Sequence, residues 1–387
     1  MRIDFHASQR SSLGVEWELQ LVDRRTRQLV SAASEVLAEM GGGSPDGHPK
    51  AKHELFESTI EVITGVCGTV AEARADLAGT IGELDALLAA RGLAPMCAGT
   101  HPFSDWRDQQ LSPNPRYARL VEDVQWPARR LLIFGVHVHV GVRSAEKAIA
   151  IANAASAYIP HFLAMSASSP YWKGSDSGLA SSRSKVFETL PTAGLPYQLS
   201  GWPEFEQLMT TLISAKAITS IREIWWDIRP HPDFGTVELR ICDGLPRLTE
   251  ISAAAALSQC LVQWMDEEID RGDPPPVPKG WVVRENKWKA ARYGLDADII
   301  VNDEGALRPV RHELAELVDR LAPVAARLEC ADELAGVLDV LAEGPSARRQ
   351  REVVAAGGTM VDVVDALIAE FATDRAVHAP LTAGAAP

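Results

Sequence analysis

Polar and apolar positions alternate along residues 13–22 as in a β-strand, but two of the polar positions are acidic. Glu16 and Glu18 would point to one face of an extended strand, while Trp17 between them would point to the other. Two carboxylates on one face repel each other, and burying them is costly unless a cation lies between them. The stretch therefore predicts either a solvated sheet face or part of a cation site.

Acidic positions recur in residues 53–63, which we interpret as mostly strand. Glu54 and Glu61 are separated by an odd number of positions, so a regular strand would place them on opposite faces. A bulge or bend is needed to bring both carboxylates to one site.

Residues 131–142 have the strongest strand pattern in the chain. Valines occupy one face, and His137 and His139 share the other. A single histidine in a core is usually structural, whereas two histidines at this spacing on a strand more often indicate ligands. This segment is therefore expected to contribute to the same site.

A β-hairpin is predicted between residues 224 and 243, with a Pro-Asp-Phe-Gly turn at 232–235. Its second strand places Glu238 and Arg240 on one face, and the Trp225-Trp226 pair before it is interpreted as sheet packing. The predicted strands together present one polar surface, made of Glu16, Glu18, Glu54, Glu61, His137, His139 and Glu238, with Arg240 alongside.

Helical periodicity accounts for most of the remaining chain. Helices are expected at 70–91, 144–168, 203–217 and 249–268, followed by two or three between 309 and 371 with a break at Gly344-Pro345. Residues 1–372 should form a single catalytic domain whose C-terminal portion, from about 309, is helical. The Ala/Pro/Gly-rich tail at 373–387 is expected to be disordered.

Charge and cysteine usage narrow the class of protein. The formal net charge of −14 argues against nucleic acid or an anionic membrane as the main partner. The five cysteines include no C-x-x-C pair, which fits a reducing compartment. The N-terminus lacks an apolar signal region, and no apolar run approaches the ~18 residues that span a bilayer. We therefore expect a soluble cytoplasmic protein.

A surface rich in carboxylates and poor in histidine favours Mg²⁺ or Mn²⁺ over zinc. Such ions usually serve to hold phosphates during phosphoryl transfer. Arg183, Arg229 and Arg240 are suited to bidentate binding of phosphate or carboxylate. Since the chain has no glycine-rich phosphate loop, ATP would be held by metals and arginines on a sheet.

Several of these motifs occur together in one order. They are Gly-Val-Glu-Trp-Glu at 14–18, the segment from 54 to 61, Gly-Val-His-Val-His-Val-Gly at 135–141, Trp-Trp-Asp-Ile-Arg-Pro at 225–230 and Thr-Val-Glu-Leu-Arg-Ile-Cys-Asp at 236–243. The set resembles the glutamate–cysteine ligase family, specifically its bacterial carboxylate–amine ligase branch (glutamate–cysteine ligase type 2). One departure is Trp17, where many members carry another glutamate; it lies on the face opposite Glu16 and Glu18.

The resemblance implies an α+β, glutamine synthetase-like fold, in which a curved, mostly antiparallel sheet forms a funnel backed by helices. It also implies ATP-dependent ligation of glutamate to an amine through a γ-glutamyl phosphate, with Mg²⁺, or Mn²⁺ in its place. By position, the metal ligands would be Glu16, Glu18, Glu54, Glu61, His137 and Glu238.

The resemblance also implies roles for the basic residues. Arg240 would act with Glu238 in catalysis and contact phosphate, while Arg183 would bind the α-carboxylate of the amino acid, with Arg229 also binding substrate. His139 would support a metal ligand or face the nucleotide. Asn286, Lys287 and Arg292 would belong either to a loop that closes over the nucleotide or to a solvated helix face.

Two alternative functions, and the identity of the acceptor amine, remain open. An H-x-H pair on a strand also begins the metal site of amidohydrolase-type hydrolases, and a non-catalytic binding protein could retain the fold. Cysteine is the family's default acceptor, with Thr100, His101 and Trp106 as candidates for its recognition. The expected partners are therefore glutamate, an amine such as cysteine, and ATP, and a homodimer would fit the resemblance.

Overall fold

The computed structural model of the protein describes residues 2–44 and 46–378. Its strands are β1 (Leu13–Asp23), β2 (Ala51–His53), β3 (Thr59–Ile63), β4 (Leu93–Met96), β5 (Val136–Gly141), β6 (Tyr171–Trp172), β7 (Ser175–Asp176), β8 (Ala193–Gly194), β9 (Trp225–Trp226), β10 (Ile228–His231), β11 (Thr236–Leu239), β12 (Asp298–Ile300) and β13 (Leu307–Pro309).

Helices account for most of the other ordered segments. They are α1 (Ala33–Met40), α2 (Val70–Ala89), α3 (Pro115–Val124), α4 (Trp126–Arg129), α5 (Ala145–Ala155), α6 (Ile159–Ser166), α7 (Ser182–Phe187), α8 (Trp202–Ser214), α9 (Leu248–Arg271), α10 (Gly280–Tyr293), α11 (Val310–Arg327), α12 (Ala331–Glu343), α13 (Ser346–Ala355) and α14 (Met360–His378). Short 3₁₀ turns lie at Trp106–Asp108, Ser156–Tyr158, Ile221–Glu223 and Gly294–Asp296.

Seven of the described strands form one antiparallel sheet in the order β10-β11-β5-β1-β3-β2, with β4 pairing the far end of β1. Strand β1 is central because it pairs with β3, β4 and β5 along its 11 residues. The order leaves β2 and β10 at the edges, so the sheet is open.

The apolar face of β1 is buried in the main core. Trp17, Leu19 and Leu21 are each fully buried there, and the indole N–H of Trp17 donates to the carbonyl of Leu245 at 3.1 Å. Helices α2, α5 and α9 pack against this side, and α9 is buried over most of its 24 residues. Because successive strand residues alternate faces, the acidic residues of β1 must lie on the opposite side of the sheet.

The segment at 53–63 differs from a continuous strand in the way the acidic spacing requires. Residues 54–58 turn between β2 and β3, which pair antiparallel. Glu54 therefore lies in the turn and Glu61 within β3, and the expected bend is present. The strand expected at 131–142 is shorter, because only Val136–Gly141 is regular strand.

Two helical predictions also needed correction. The helix expected at 144–168 is divided into α5 and α6 by the 3₁₀ turn Ser156–Tyr158, and Pro160 lies in the first turn of α6. The C-terminal portion contains α11 to α14 rather than two or three helices, with the break at Gly344-Pro345 as expected. Helix α14 continues to His378, past the expected end at 372, and residues 379–387 of the expected tail lie outside the described residues.

One described helical stretch, Ala145–Ser166, is long and apolar enough by length and composition to cross a membrane. This differs from the expectation that no segment approaches that length. In the folded protein 78% of its apolar window is buried, so these residues are accounted for by packing in the core.

A glycine in the middle of helix α2 allows the helical conformation at that position to be tested by substitution. Gly79 is exposed in the middle of α2, and a Cβ there would meet nothing within 4 Å. Gly79→Ala should raise the free energy of unfolding by about 0.5–1 kcal/mol, since glycine loses more backbone entropy than alanine on folding. Chemical denaturation followed by circular dichroism measures this.

The matched control is Gly244→Ala. A Cβ at Gly244 would lie 2.5 Å from the Cys97 sulfur and 3.0 Å from the carbonyl oxygen of Ala98. This variant should be destabilised, and equal stability changes in the two variants would contradict the described packing.

Candidate active site

A cavity of about 550 Å³ lies over the polar face of the sheet, within the size range of small-molecule sites. Its sheet-derived wall includes Glu16 and Glu18 from β1, Glu61 from β3 and His137 from β5, with Arg229 from β10 and Arg240 just after β11. Glu54 from the turn and Arg183 from α7 complete the set of predicted residues that line it.

Strand register brings the acidic and imidazole side chains together. Glu18 is paired with Glu61 across β1 and β3, and Glu16 is paired with His137 across β1 and β5. Glu238 is paired with His139 across β11 and β5. Directly opposed residues share a face and have Cβ atoms roughly 4.5–5.5 Å apart. Strand pairing is therefore sufficient to bring these carboxylate and imidazole side chains together.

Two sets of three side chains have ligating atoms within 4.8 Å of one another. One set is Glu16, His137 and Glu238, the other is Glu18, Glu61 and His137, and His137 belongs to both. Carboxylate oxygens with a single imidazole suit Mg²⁺ or Mn²⁺ better than zinc. The residues present therefore fit the divalent ions that the sequence predicts.

The first set already contains positive compensation. Burial opposes ionisation of Glu16, but hydrogen bonds to His137 and His139 outweigh it and hold the Glu16 pKa well below its usual value. Burial likewise opposes ionisation of Glu238, yet the charges of Arg229 and Arg240 hold its pKa well below normal. These two carboxylates are therefore ionised in the free protein.

In the second set the nearby positive charges do not outweigh burial. Burial, and then the charge of Glu54, raise the pKa of Glu18 to about 8. Burial and the charges of Glu16 and Glu54 raise the pKa of Glu61 well above its usual value, although Lys52 forms a 2.8 Å ion pair with it. A divalent cation would relieve this cost, which makes the second set the stronger electrostatic argument for a metal.

Two of the predicted arginines are tied to Glu238. Arg229 Nε donates to Glu238 Oε2 at 2.7 Å, and the guanidinium also donates to the carbonyl of Ile224. Arg240 bonds the other Glu238 oxygen and lies 3.5 Å from His137 Nδ1. Both guanidinium groups are thus fixed beside the first ligand set.

Arg183 is held in the cavity wall by a different set of contacts. Its guanidinium donates to the carbonyls of Ile241 and Arg240 at 3.4 Å and lies 3.9 Å from Asp243. Its Nε has no partner among the described residues. Gly135 permits this position, because a Cβ there would lie 2.2 Å from Arg183 Nη2.

Glu54 and His139 lie near the ligand sets without belonging to them. Glu54 lines the cavity, and one of its oxygens accepts from the N–H of Leu55 at 2.9 Å. His139 pairs through Nδ1 with the hydroxyl of Thr236 at 3.0 Å, and its Nε2 lies 3.5 Å from Glu16. His139 is therefore placed to support Glu16, one of the two roles predicted for it.

The basic segment of α10 does not line this cavity. Asn286 and Lys287 are buried, so the solvated helix face is wrong for these two residues, while nucleotide contact stays a prediction. Asn286 forms two hydrogen bonds with the backbone of Ile300, joining α10 to β12. Lys287 is buried and forms 2.6 Å ion pairs with Asp227 and Glu188. Arg292 is exposed and stacks on Tyr293.

The candidate residues for acceptor recognition also lie elsewhere. The hydroxyl of Thr100 donates to the carbonyl of Tyr171, and His101 Nε2 lies 2.9 Å from the carbonyl of Arg27. Trp106 packs against an apolar cluster around Leu55. These contacts are structural.

Sequence reasoning missed several residues that line the cavity. They are Lys52, His53, Leu55, Asn114, Arg116, Tyr117, Leu120, Leu131, Ile133, Phe187, Leu190, Arg222, Trp225, His231 and Phe234. Trp225 and Trp226 divide between the cavity and the core, so the packing interpretation is right only for Trp226. The residues of α3 had no recognisable signal, whereas His231 directly precedes the predicted hairpin turn and Phe234 lies within it, so both could have been proposed.

Comparison with known sequences gives matches along almost the whole chain. The model of glutamate–cysteine ligase family 2 matches residues 12–366. A Frankia alni protein provisionally named glutamate–cysteine ligase 2-1 is 60% identical over 381 residues, covering 98% of this chain and 100% of that protein. A Thermobifida fusca protein provisionally named glutamate–cysteine ligase 2 is 54% identical over 372 residues, covering 96% and 93%.

Solved structures agree with this assignment at the level of the fold. The glutamate–cysteine ligase of Francisella tularensis, in complex with AMP, has a TM-score of 0.69 at 13% identity, covering 98% of this chain and 91% of that chain. A bifunctional glutathione synthetase from Pasteurella multocida also has a TM-score of 0.69, at 14% identity, covering 94% and 52%. The predicted α+β, glutamine synthetase-like fold is confirmed.

The structural assignment of Lys287 can be tested by removing its charge. Lys287→Met would leave the buried Asp227 carboxylate without its partner, so the free energy of unfolding should fall by about 3–5 kcal/mol. Lys289→Met, on the same helix but partly exposed, should change it by less than about 0.5 kcal/mol. Loss of ATP affinity in a stable Lys287→Met protein would instead support the nucleotide role.

His137 is the one imidazole in the two candidate ligand sets. His137→Ala should weaken Mn²⁺ binding at the ion that it coordinates at least about 100-fold, since it removes a direct donor. His139→Ala keeps both sets and removes only a group that supports Glu16, so it should weaken binding less, by about 10-fold. Electron paramagnetic resonance of free Mn²⁺ measures both affinities, and equal losses in the two variants would argue against the proposed ligands.

Proposed function

Because the chain belongs to glutamate–cysteine ligase family 2, and is thus an ATP-dependent ligase that forms an amide bond, we propose that glutamate is its carboxylate donor. The γ-carboxylate is activated as γ-glutamyl phosphate with release of ADP. An amine, with cysteine or a related molecule as the family's default, then displaces phosphate and forms the amide.

The convergence of carboxylates and one imidazole in a single cavity carries this proposal. Four strands that are far apart in sequence supply the two ligand sets, and arginines stand beside them. A triphosphate is strongly anionic and would be repelled by bare carboxylates. Divalent ions and guanidinium groups between the two make the same cavity suitable for phosphoryl transfer.

We propose that Glu16 and Glu238 hold one ion and that Glu18 and Glu61 hold another, with the neutral imidazole of His137 coordinating one of the two. Bound Mg²⁺ or Mn²⁺ neutralises phosphate oxygens during transfer. Glu54 lines the same cavity and is proposed as an additional contributor to the second site.

The arginines divide the work of binding and charge stabilisation. Arg240, fixed by Glu238, stabilises negative charge on the phosphoryl group as it transfers. Arg229, held by Glu238 and the carbonyl of Ile224, binds substrate beside it. Arg183 offers an unused Nε at the wall and binds the α-carboxylate of glutamate.

Two displacements complete the proposed reaction. An oxygen of the γ-carboxylate attacks the γ-phosphorus of ATP, and the bond from that phosphorus to ADP breaks. The amine nitrogen then attacks the carbonyl carbon, the bond from carbon to the phosphate oxygen breaks, and phosphate leaves. The nitrogen loses a proton as the amide forms.

A hydrolase of the amidohydrolase type is the second candidate. Such a site would use both histidines of the H-x-H pair as ligands. Here His139 is outside both ligand sets and bonds Thr236 through Nδ1, an arrangement that favours the ligase.

We further propose that the protein acts on small molecules in the cytoplasm, as a homodimer. Its net charge of −14 is in keeping with the absence of nucleic acid and membrane among its partners.

An isotope experiment tests the proposed intermediate. Glutamate labelled with ¹⁸O in its γ-carboxylate is incubated with ATP, Mg²⁺ and a set of amines. The products are expected to be ADP and phosphate containing one ¹⁸O atom, because the oxygen that attacks phosphorus leaves with phosphate. Mass spectrometry of phosphate measures the label.

Three other results would contradict the mechanism. Release of AMP and pyrophosphate, with ¹⁸O in AMP, would indicate an acyl-adenylate instead. Hydrolysis of an amide without ATP would support the hydrolase. Binding of ATP without turnover in the presence of glutamate and every amine tested would indicate a binding protein.

A further inference from the structure

The cavity has two chemically different ends on either side of the ligand sets. At the β10–β11 hairpin it is basic and aromatic, with Arg222 and Arg229 near the stacked rings of His231 and Phe234. At the other end it is bounded by α3, where the hydroxyl of Tyr117 donates to the carbonyl of His53 at 3.1 Å. The basic end suits a triphosphate, which leaves the α3 end for another substrate.

The α3 end combines charged side chains with an apolar wall. Glu54 lies there beside Leu55, and Tyr117 and Leu120 approach from α3. Glu18 and Glu61 add to the negative field around Tyr117. Arg116 of α3 and Lys52 of β2 also line the cavity near these carboxylates, so the charge of this end is mixed and the apolar wall is its distinguishing feature.

The extended segment before β5 supplies the remaining apolar side chains. Leu132 and Phe134 are buried in an apolar cluster, while the alternate positions Leu131 and Ile133 are only partly buried and line the cavity. This alternation is that of an extended chain. The sequence therefore places two aliphatic side chains on the cavity surface next to the α3 wall.

We propose that the α3 end is the acceptor subsite and that it selects a primary amine with a branched or longer apolar substituent in preference to cysteine. The inference rests on the proposed ligase function. Tyr117, Leu120, Leu131 and Ile133 contact the substituent of the amine.

The size of the wall is the reason to prefer a larger acceptor. A single CH₂–SH group can cover only part of a surface made by one aromatic and several aliphatic side chains. The thiol behaves as a small apolar group with a weak donor, and no described cysteine is among the residues that line this cavity. In an apolar pocket one additional methylene is worth roughly 10–200-fold in selectivity.

Matched acceptors separate thiol recognition from apolar contact. ADP release with glutamate held constant is measured for L-cysteine, L-2-aminobutyrate and L-leucine, and for cysteamine, propylamine and isoamylamine, which lack the carboxylate. L-2-aminobutyrate replaces the thiol of cysteine by a methyl group. We expect kcat/KM for L-leucine or isoamylamine to exceed that of the matching thiol at least tenfold, with the methyl and thiol compounds within threefold.

The contrary results are distinct. A kcat/KM for L-cysteine more than tenfold above that for L-2-aminobutyrate would show thiol recognition and overturn the inference, while the ligase function would stand. Absence of ADP release with all six acceptors would contradict the proposed function itself, and the inference with it.

Substitutions in the apolar wall test whether these side chains cause the selectivity between acceptors. Leu131→Ala and Ile133→Ala should lower kcat/KM for the leucine-sized acceptors at least tenfold more than kcat/KM for the cysteine-sized acceptors. Leu338→Ala, which removes an exposed leucine of α12, is the control and should change neither. Equal losses for all acceptors in the wall variants would exclude a role in selectivity.

Discussion

Uneven compensation of buried negative charge on one face of β1 determines how this site works. Glu16 and Glu238 are matched by histidines and arginines that the fold itself supplies. Lys52 pairs with Glu61, and the charges of Arg183 and Arg240 act on Glu18, but burial and the neighbouring carboxylates outweigh them and raise both pKa values. The carboxylates of the first set are therefore balanced by positive charge within the protein. Those of the second set are stabilised fully only when a cation binds.

The sheet can accommodate buried charge on one face because its other face provides the packing in the core. Trp17 and its apolar neighbours anchor β1 in the main core, so the strand does not depend on its polar face for stability. Antiparallel register then fixes which carboxylate opposes which imidazole. A slip of one residue would turn every ligand to the core, so the metal sets and the core are specified together.

Charged residues outside the cavity show why residue type alone does not identify a ligand. Lys287 has the chemistry of a phosphate-binding residue, yet it is buried between Asp227 and Glu188 and links α10 to the sheet and to α7. Asn286 uses its amide to hold the backbone of Ile300. In both cases the partner on a distant segment decides the role, and that partner is not visible in a local pattern.

The sequence by itself determined the alternation that places Glu16 and Glu18 on one face, the histidine pair of β5 and the hairpin that carries Glu238, because these follow from a strand's period of two. It also indicated the bend that separates Glu54 from Glu61. Only the tertiary structure decided that α3 and the segment at 131–133 form the apolar end of the cavity, since their contacts with the Glu54 turn join segments more than 50 residues apart. Local periodicity records which face a residue occupies, but not which distant surface meets that face.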